Sequence, residues 1–165
     1  MFPKIVRSLA EETLATARAA GLRLATAESC TGGLIAAALT DIAGSSDVVD
    51  RGFVTYSNQA KFDLVGVSVD LLIAHGAVSE AVARAMAEGA IHHSAADLAV
   101  SVTGIAGPGG ATASKPVGLV HIACARRGGV TLHEQHLFTG DRGAVRMATV
   151  KAALKLMLRA MASPA

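Results

Sequence analysis

The sequence predicts an α/β fold, a single-domain α/β sandwich whose mixed sheet is covered by helices. Three observations carry that expectation. The 165 residues are one domain's worth of chain, since single cores stop growing beyond roughly 250 residues, and no linker, repeat or low-complexity tract divides residues 1–165. Apolar residues make up 52% against 17% charged, which excludes an intrinsically disordered chain. Helical and strand-like patterns alternate in the order αβαβααβββα, which implies a mixed sheet covered by helices.

Each element has a local signal. Pro3 followed by IVRSLAEETLATARAA reads as an opening amphipathic helix, with Ile5, Leu9, Leu14 and Ala17 near one face and Gly21 at its end. LRLATA (22–27) is a short strand, and SCTGG leads from it into LIAAALTDIAG, a second helix closed by Gly44. GFVTYS (52–57) is another strand, followed by a short helix or turn from Asn58 to Gly66 and a helical piece over 69–76. Ser79 caps EAVARAMAEGAIHH. DLAVSVTG (97–104) is an apolar, β-rich run that reads as a buried strand. Beyond the loop IAGPGGATASKP, the strands VGLVHIACARR and VTLHEQHLF form a hairpin turned at Gly128-Gly129. Gly140 and Asp141 open the last helix, with Val145, Ala148, Ala152, Leu156 and Arg159 at helical spacing.

Composition also narrows the function. The net charge is only +2 and scattered, and aromatics are 3%, so the basic stripe with interleaved aromatics of a nucleic-acid binder is absent. The longest uncharged run, between Asp97 and Lys115, has GIAGPGG at its middle, which no spanning helix would choose. No signal-peptide pattern opens the chain, and Cys30 and Cys124 allow one bridge at most. A reducing, cytoplasmic setting is expected. The hairpin's open edge and the high apolar fraction make a homo-oligomer the expected assembly.

Three segments that follow strands can carry chemistry, because ligands of open α/β sheets collect beyond strand ends. In Thr26-Ala27-Glu28-Ser29-Cys30-Thr31-Gly32-Gly33, Ser29 stands at a strand-to-helix turn with backbone N–H groups behind it that suit an oxyanion. Ser29 or Thr31 could equally cap the helix, and Ala27 and Thr31 occupy the glycine positions of a G-x-S-x-G elbow. Tyr56, the only tyrosine, lies five residues before Lys61. A lysine that loses hydration in so apolar a chain has a lowered pKa and can deprotonate a serine, whereas a solvated surface lysine cannot. Thr103-Gly104-Ile105-Ala106-Gly107-Pro108 is either an anion nest or a tight crossing loop. It leads into a strand and lacks a following acidic residue, so it is not a dinucleotide fingerprint, and no oxidoreductase reading follows from it.

Arg142, with Arg146, stands at the start of the last helix, where it suits a phosphate or carboxylate, or completes a cap with Asp141. The six histidines form no metal-ligand spacing, since His92 and His93 diverge on a helix and His133 and His136 fall on opposite strand faces. Cys30 is a rival nucleophile without a histidine partner in view.

TAESCTGG, GSS, RGFVTYSNQAK, HGAVSE, GIAGPGG with KPVG, and GDR occur in that order between Leu24 and Arg146. Together they resemble the CinA C-terminal domain family, which implies an α/β sandwich. Stand-alone members of the PncC type are nicotinamide-nucleotide amidohydrolases, converting nicotinamide mononucleotide and water to nicotinate mononucleotide and ammonia. By that resemblance Ser29 is the nucleophile, Lys61 the general base and Tyr56 an assisting group. Cys30, Thr31, Gly32, Gly33, Thr103, Gly104, Ile105, Ala106 and Gly107 would surround the substrate, with Arg142 on its phosphate and with no metal or other cofactor. Two-domain relatives add a domain resembling molybdopterin-binding proteins, for which 165 residues leave no room, so pyrophosphatase action is not expected. The family loop often continues GP-x-GG, whereas Ala111 follows Gly109-Gly110 here. The other reading is a nucleotide-binding or regulatory module of the competence/damage-inducible type that lacks the reaction.

Overall fold

The apolar runs that end in Glu28 and Gly104 become the middle strands of the sheet, where both faces are covered. In the computed structural model, which describes residues 1–163, the elements are α1 (Lys4–Ala19), β1 (Leu24–Glu28), α2 (Leu34–Thr40), a 3₁₀ turn (Ser45–Asp47), β2 (Val49–Val54), α3 (Asn58–Val65), α4 (Val69–His75), α5 (Glu80–His92), β3 (Leu98–Gly104), β4 (Leu119–Arg126), β5 (Leu132–Leu137) and α6 (Arg142–Ala162). The sheet order is β2-β1-β3-β4-β5. β1 runs parallel to both β2 and β3, while β3, β4 and β5 are antiparallel in turn. Every residue of β1 is buried, as expected of a parallel strand covered on both faces.

Helices α1, α2 and α6 cover one face, around Leu24, Leu98, Val100, Val102 and Ile122. Helices α3, α4 and α5 cover the other, where the sheet offers Ala25, Ala27, Ala99, Ala123 and Ala125, with the half-buried Phe53 of β2 at its edge. Helix α5 answers with Ala83, Ala87 and Ala90, so small side chains meet small ones and the helix rides close to the sheet. Ser101 on β3 donates its hydroxyl to the Ala83 carbonyl across this interface. Among the described residues no helix is long and apolar enough to cross a membrane.

The expected boundaries shift in four places. α2 stops at Thr40 rather than running to Gly44, which instead takes a left-handed conformation ahead of the 3₁₀ turn. The second strand begins at Val49 and ends at Val54, because Ser57 is already the N-cap of α3, accepting from the Ala60 N–H. On α1 the buried face holds Val6, and Ile5 is exposed. On α6, Ala148 and Ala152 are half-buried and Arg159 is exposed. That helix packs on both the sheet and α1, so its buried face widens to Thr149, Val150, Ala153, Leu154 and Met157.

Gly89 sets how closely α3 approaches α5. A Cβ built there would lie 1.8 Å from the Val65 carbonyl oxygen at the end of α3. Val65 and Lys61 are one turn apart on α3 and are that helix's two buried residues, so the same close crossing turns Lys61 inward. Alanine ordinarily stabilises a helix interior by about 1 kcal/mol over glycine. At Gly89 the sign should invert: Gly89→Ala is expected to destabilise by about 1–3 kcal/mol, measured as a lower urea midpoint at unchanged slope.

Candidate active site

β1 has its outgoing helix, α2, on one face of the sheet, while the chain enters β3 from α5 on the other. The strand order therefore splits between β1 and β3, and the crevice beyond their carboxyl ends is where such sheets bind ligands. A cleft of about 220 Å³ lies there. Of the residues singled out in the sequence, Ser29, Cys30, Tyr56, Lys61, Thr103, Gly104, Ala106 and Arg142 line it, joined by Asn58, Ala77 and Val78. Thr31, Gly32, Gly33, Ile105 and Gly107 stand behind the lining, in the two loops that frame it.

Lys61 and Ser29 meet at the floor. Nζ of Lys61 is 3.1 Å from Ser29 Oγ and 2.9 Å from the Thr55 carbonyl oxygen, to which it donates. Lys61 is 1% exposed and Ser29 9%, and no carboxylate pairs with Lys61 among the described residues. Burial without a counter-charge penalises the ammonium, so the Lys61 pKa lies below the usual lysine value. With one N–H given to Thr55, a neutral amine has its lone pair free to accept the Ser29 O–H. The arrangement can therefore generate an alkoxide-like oxygen at the cleft floor.

Sequence reasoning assigned no role to Glu28, although a carboxylate ending an apolar strand signals one, since such groups are almost never buried unless paired. Glu28 is fully buried. Its Oε2 accepts from the Thr31 hydroxyl at 2.6 Å and from the N–H groups of Gly33 and Ile35, and its Oε1 accepts from Ala36 N–H at 2.8 Å. These are donors that the start of α2 would leave unsatisfied. The N–H of Ser29 goes to the Val102 carbonyl, that of Gly32 to Ser29, and that of Leu34 to Thr31. The N–H groups of Cys30 and Thr31 are left without an acceptor among the described residues. Of these two residues only Cys30 lines the cleft, since Thr31 is fully buried. The turn behind Ser29 thus leaves two N–H groups unpaired rather than the open row expected from the sequence, and of the two residues Cys30 is the one that lines the cleft. Gly32 and Gly33 both take positive φ, 59° and 101°, which lets the chain double back onto Glu28.

The remaining groups sit around the mouth. Thr103 donates its hydroxyl to the Ala77 carbonyl, tying the end of β3 to the loop before α5. Arg142 reaches across from α6, donating from Nη1 to the Gly107 carbonyl and from Nη2 to the Tyr56 hydroxyl at 3.1 Å. Tyr56 is 60% exposed, and its hydroxyl bonds to Arg142 rather than to Ser29 or Lys61. Arg146 stays outside the cleft and donates to the carbonyls of Cys30 and Thr31. Cys30 and Cys124 are both free thiols, and burial pushes the Cys30 pKa up to about 12. His121 and His133 hydrogen-bond each other at 3.0 Å, while His136 pairs with Glu134; none of the three lines the cleft.

A family model described as the CinA C-terminal domain matches residues 6–161. The chain is 52% identical over 159 residues to the nicotinamide-nucleotide amidohydrolase PncC of Enterobacter agglomerans, covering 96% of this chain and 97% of that protein. It is 54% identical over 144 residues to a CinA-like protein of Syntrophobacter fumaroxidans, covering 87% of this chain and 34% of that one, so it spans about a third of that longer relative. Among solved structures, the competence/damage inducible protein CihA from Agrobacterium tumefaciens superposes with a TM-score of 0.95 at 52% identity, over 99% of both chains. The competence damage-inducible protein A from Klebsiella pneumoniae gives 0.91 at 38% identity, over 95% of this chain and 97% of that one. With the family model covering nearly its whole length, this chain belongs to the CinA C-terminal domain family.

Proposed function

We propose that the chain is an amidohydrolase that converts nicotinamide mononucleotide and water to nicotinate mononucleotide and ammonia, with Ser29 as nucleophile and Lys61 as general base. The observation that carries the reading is the dehydrated amine of Lys61, 3.1 Å from Ser29 Oγ at the floor of the cleft. A module that only binds a nucleotide needs no such pair. The substrate follows from the amidohydrolase of Enterobacter agglomerans, which matches over nearly the full length of both chains.

In this reaction Ser29 Oγ attacks the carboxamide carbon as its proton passes to Lys61 Nζ. The carbonyl oxygen, now anionic, accepts the Cys30 N–H. The C–N bond breaks as the Lys61 ammonium returns that proton to the departing nitrogen, leaving ammonia and an ester on Ser29. Water then adds to the ester carbon, giving its proton to Lys61, and the acid departs as Ser29 regains a proton. Arg142 supplies the guanidinium for the substrate phosphate at the mouth, and Tyr56, bonded to it, closes that side of the cleft.

Ammonia release from nicotinamide mononucleotide by the purified protein tests the reading. Ser29→Ala is expected to lower kcat by about 10³-fold or more, and Lys61→Arg by at least about 10²-fold, because guanidinium does not give up its proton. Wild-type rates in either folded variant would end that assignment. The depressed Lys61 pKa also sets a pH profile. The rate should rise with pH along one acidic limb centred below the usual lysine value, then level off once the amine is neutral. Between the folded and unfolded pKa values the unfolded chain binds more protons, so stability should rise with pH across the same window. A limb centred at or above the free-lysine value would contradict the geometry. Arg142→Met is expected to raise KM about 10-fold or more with kcat little changed. The same variant should leave the kcat/KM for nicotinamide riboside, which has no phosphate, near the wild-type value.

A further inference from the structure

The turn that carries the Cys30 N–H is tied down by a residue that does not line the cleft. A trans peptide is planar, so its N–H and C=O point in opposite directions, and the cis peptide recorded among the described residues is at Gly107-Pro108, away from this turn. Arg146 donates from Nη2 to the Thr31 carbonyl at 2.9 Å and from Nε to the Cys30 carbonyl at 3.2 Å. Fixing the Thr31 carbonyl fixes the peptide that also carries the Gly32 N–H, and that N–H donates to the Ser29 carbonyl at 3.0 Å. Fixing the Ser29 carbonyl in turn fixes the peptide that carries the Cys30 N–H. Two peptide planes thus connect the guanidinium to the donor.

This turn needs such a hold. Gly32 and Gly33, both at positive φ, have many alternative conformations open to them. Glu28 restrains the downstream side, from the Thr31 hydroxyl to Ala36 N–H. Upstream, the Thr31 carbonyl has only the longer bond from Leu34 N–H, at 3.3 Å, besides Arg146. The fork of the guanidinium meets two successive carbonyls at once, a geometry that an ammonium cannot reproduce. Arg146 lies four residues after Arg142 on α6, so one helix presents a cation to the cleft mouth and, a turn later, a second to the back of the nucleophile turn.

We propose that Arg146 is a positioning residue for the hydrolysis: by holding the Cys30 and Thr31 carbonyls it aims the Cys30 N–H at the oxygen that becomes anionic in the transition state. The proposal rests on the amidohydrolase reading given above, with Ser29 as nucleophile. It differs in kind from the part given to Arg142, which concerns binding and should appear in KM.

The test uses the full-length protein with Arg146→Met and Arg146→Lys, nicotinamide mononucleotide as substrate, and a fluorophosphonate that labels activated serines and places its phosphonyl oxygen where the oxyanion would sit. Arg146→Met is expected to lower kcat by about 10- to 100-fold, somewhat less than outright removal of an oxyanion donor. KM should stay within about threefold, and the acidic limb of the pH profile should keep its midpoint, since Lys61 is untouched. Labelling of Ser29 should slow by the same factor, and Arg146→Lys should recover part of both rates. A folded Arg146→Met protein with wild-type kcat, or a loss confined to KM, overturns the proposal. If Arg146→Met does not fold, Arg146→Lys decides: a kcat deficit at unchanged KM supports the role, and wild-type kcat removes it. If the wild-type protein releases no ammonia but its Ser29 is labelled, and labelled more slowly without Arg146, the substrate assignment falls and the positioning role stands. A wild-type protein that shows neither reaction overturns both.

Discussion

A lysine amine excluded from water, with a serine hydroxyl on one side and a backbone carbonyl on the other, is the constraint around which this fold is organised. Water would hold Lys61 as an ammonium. Its removal depends on α3 lying tightly against α5, which depends on a helix interior with no side chain at Gly89 and on an alanine-rich interface beneath it. The unusual composition, rich in apolar residues yet with few aromatics, is therefore connected to the chemistry. Bulkier residues between α5 and the sheet would lift the helices and let solvent reach the amine.

The second organising group is a carboxyl side chain. Glu28 ends β1 inside the protein and gathers donors from the residues that begin α2. It holds the strand-to-helix turn in one shape and occupies the positive end of the short helix. The helix terminus is thereby already occupied, and the cation that faces the mouth of the cleft is Arg142 on its far side. The site separates its polar groups by construction: Glu28 behind the turn, the buried Lys61 amine beside Ser29 and the Arg142 guanidinium at the entrance.

Much of this was legible in the sequence, for reasons that differ from residue to residue. Ser29 and Lys61 stood out through their places after strands and within long motifs, and the structure brings them to hydrogen-bonding distance. The caps at Ser79 and Asp141 come from local chemistry, each side chain accepting the N–H three residues on, whereas Ser57, read as the end of a strand, proves to cap α3. The face of α1 was misjudged at Ile5, whose place in the buried stripe belongs to its neighbour Val6. Glu28 was passed over, and Arg146 was grouped with Arg142 as an anion partner instead of with the turn behind Ser29, for a different reason. Their importance lies in backbone groups they hold across loops, and no spacing in the chain records where a carbonyl points. Thr31, Gly32 and Gly33 belong to the same class, as parts of the frame whose neighbours only tertiary structure reveals.

Cys30 sits beside the nucleophile with its thiol held protonated. Thiolate, and not thiol, is the species that oxidants and alkylating agents attack, and with a pKa of about 12 the thiolate fraction near neutral pH is about one part in 10⁵. The surroundings that place an amine beside Ser29 Oγ therefore withhold nucleophilic character from the sulfur next door. Peroxide and soft electrophiles, which disable hydrolases that depend on cysteine, find little to react with here. The burial that lowers the Lys61 pKa also keeps the neighbouring thiol protonated, so the floor of the cleft is chemically quiet toward oxidants.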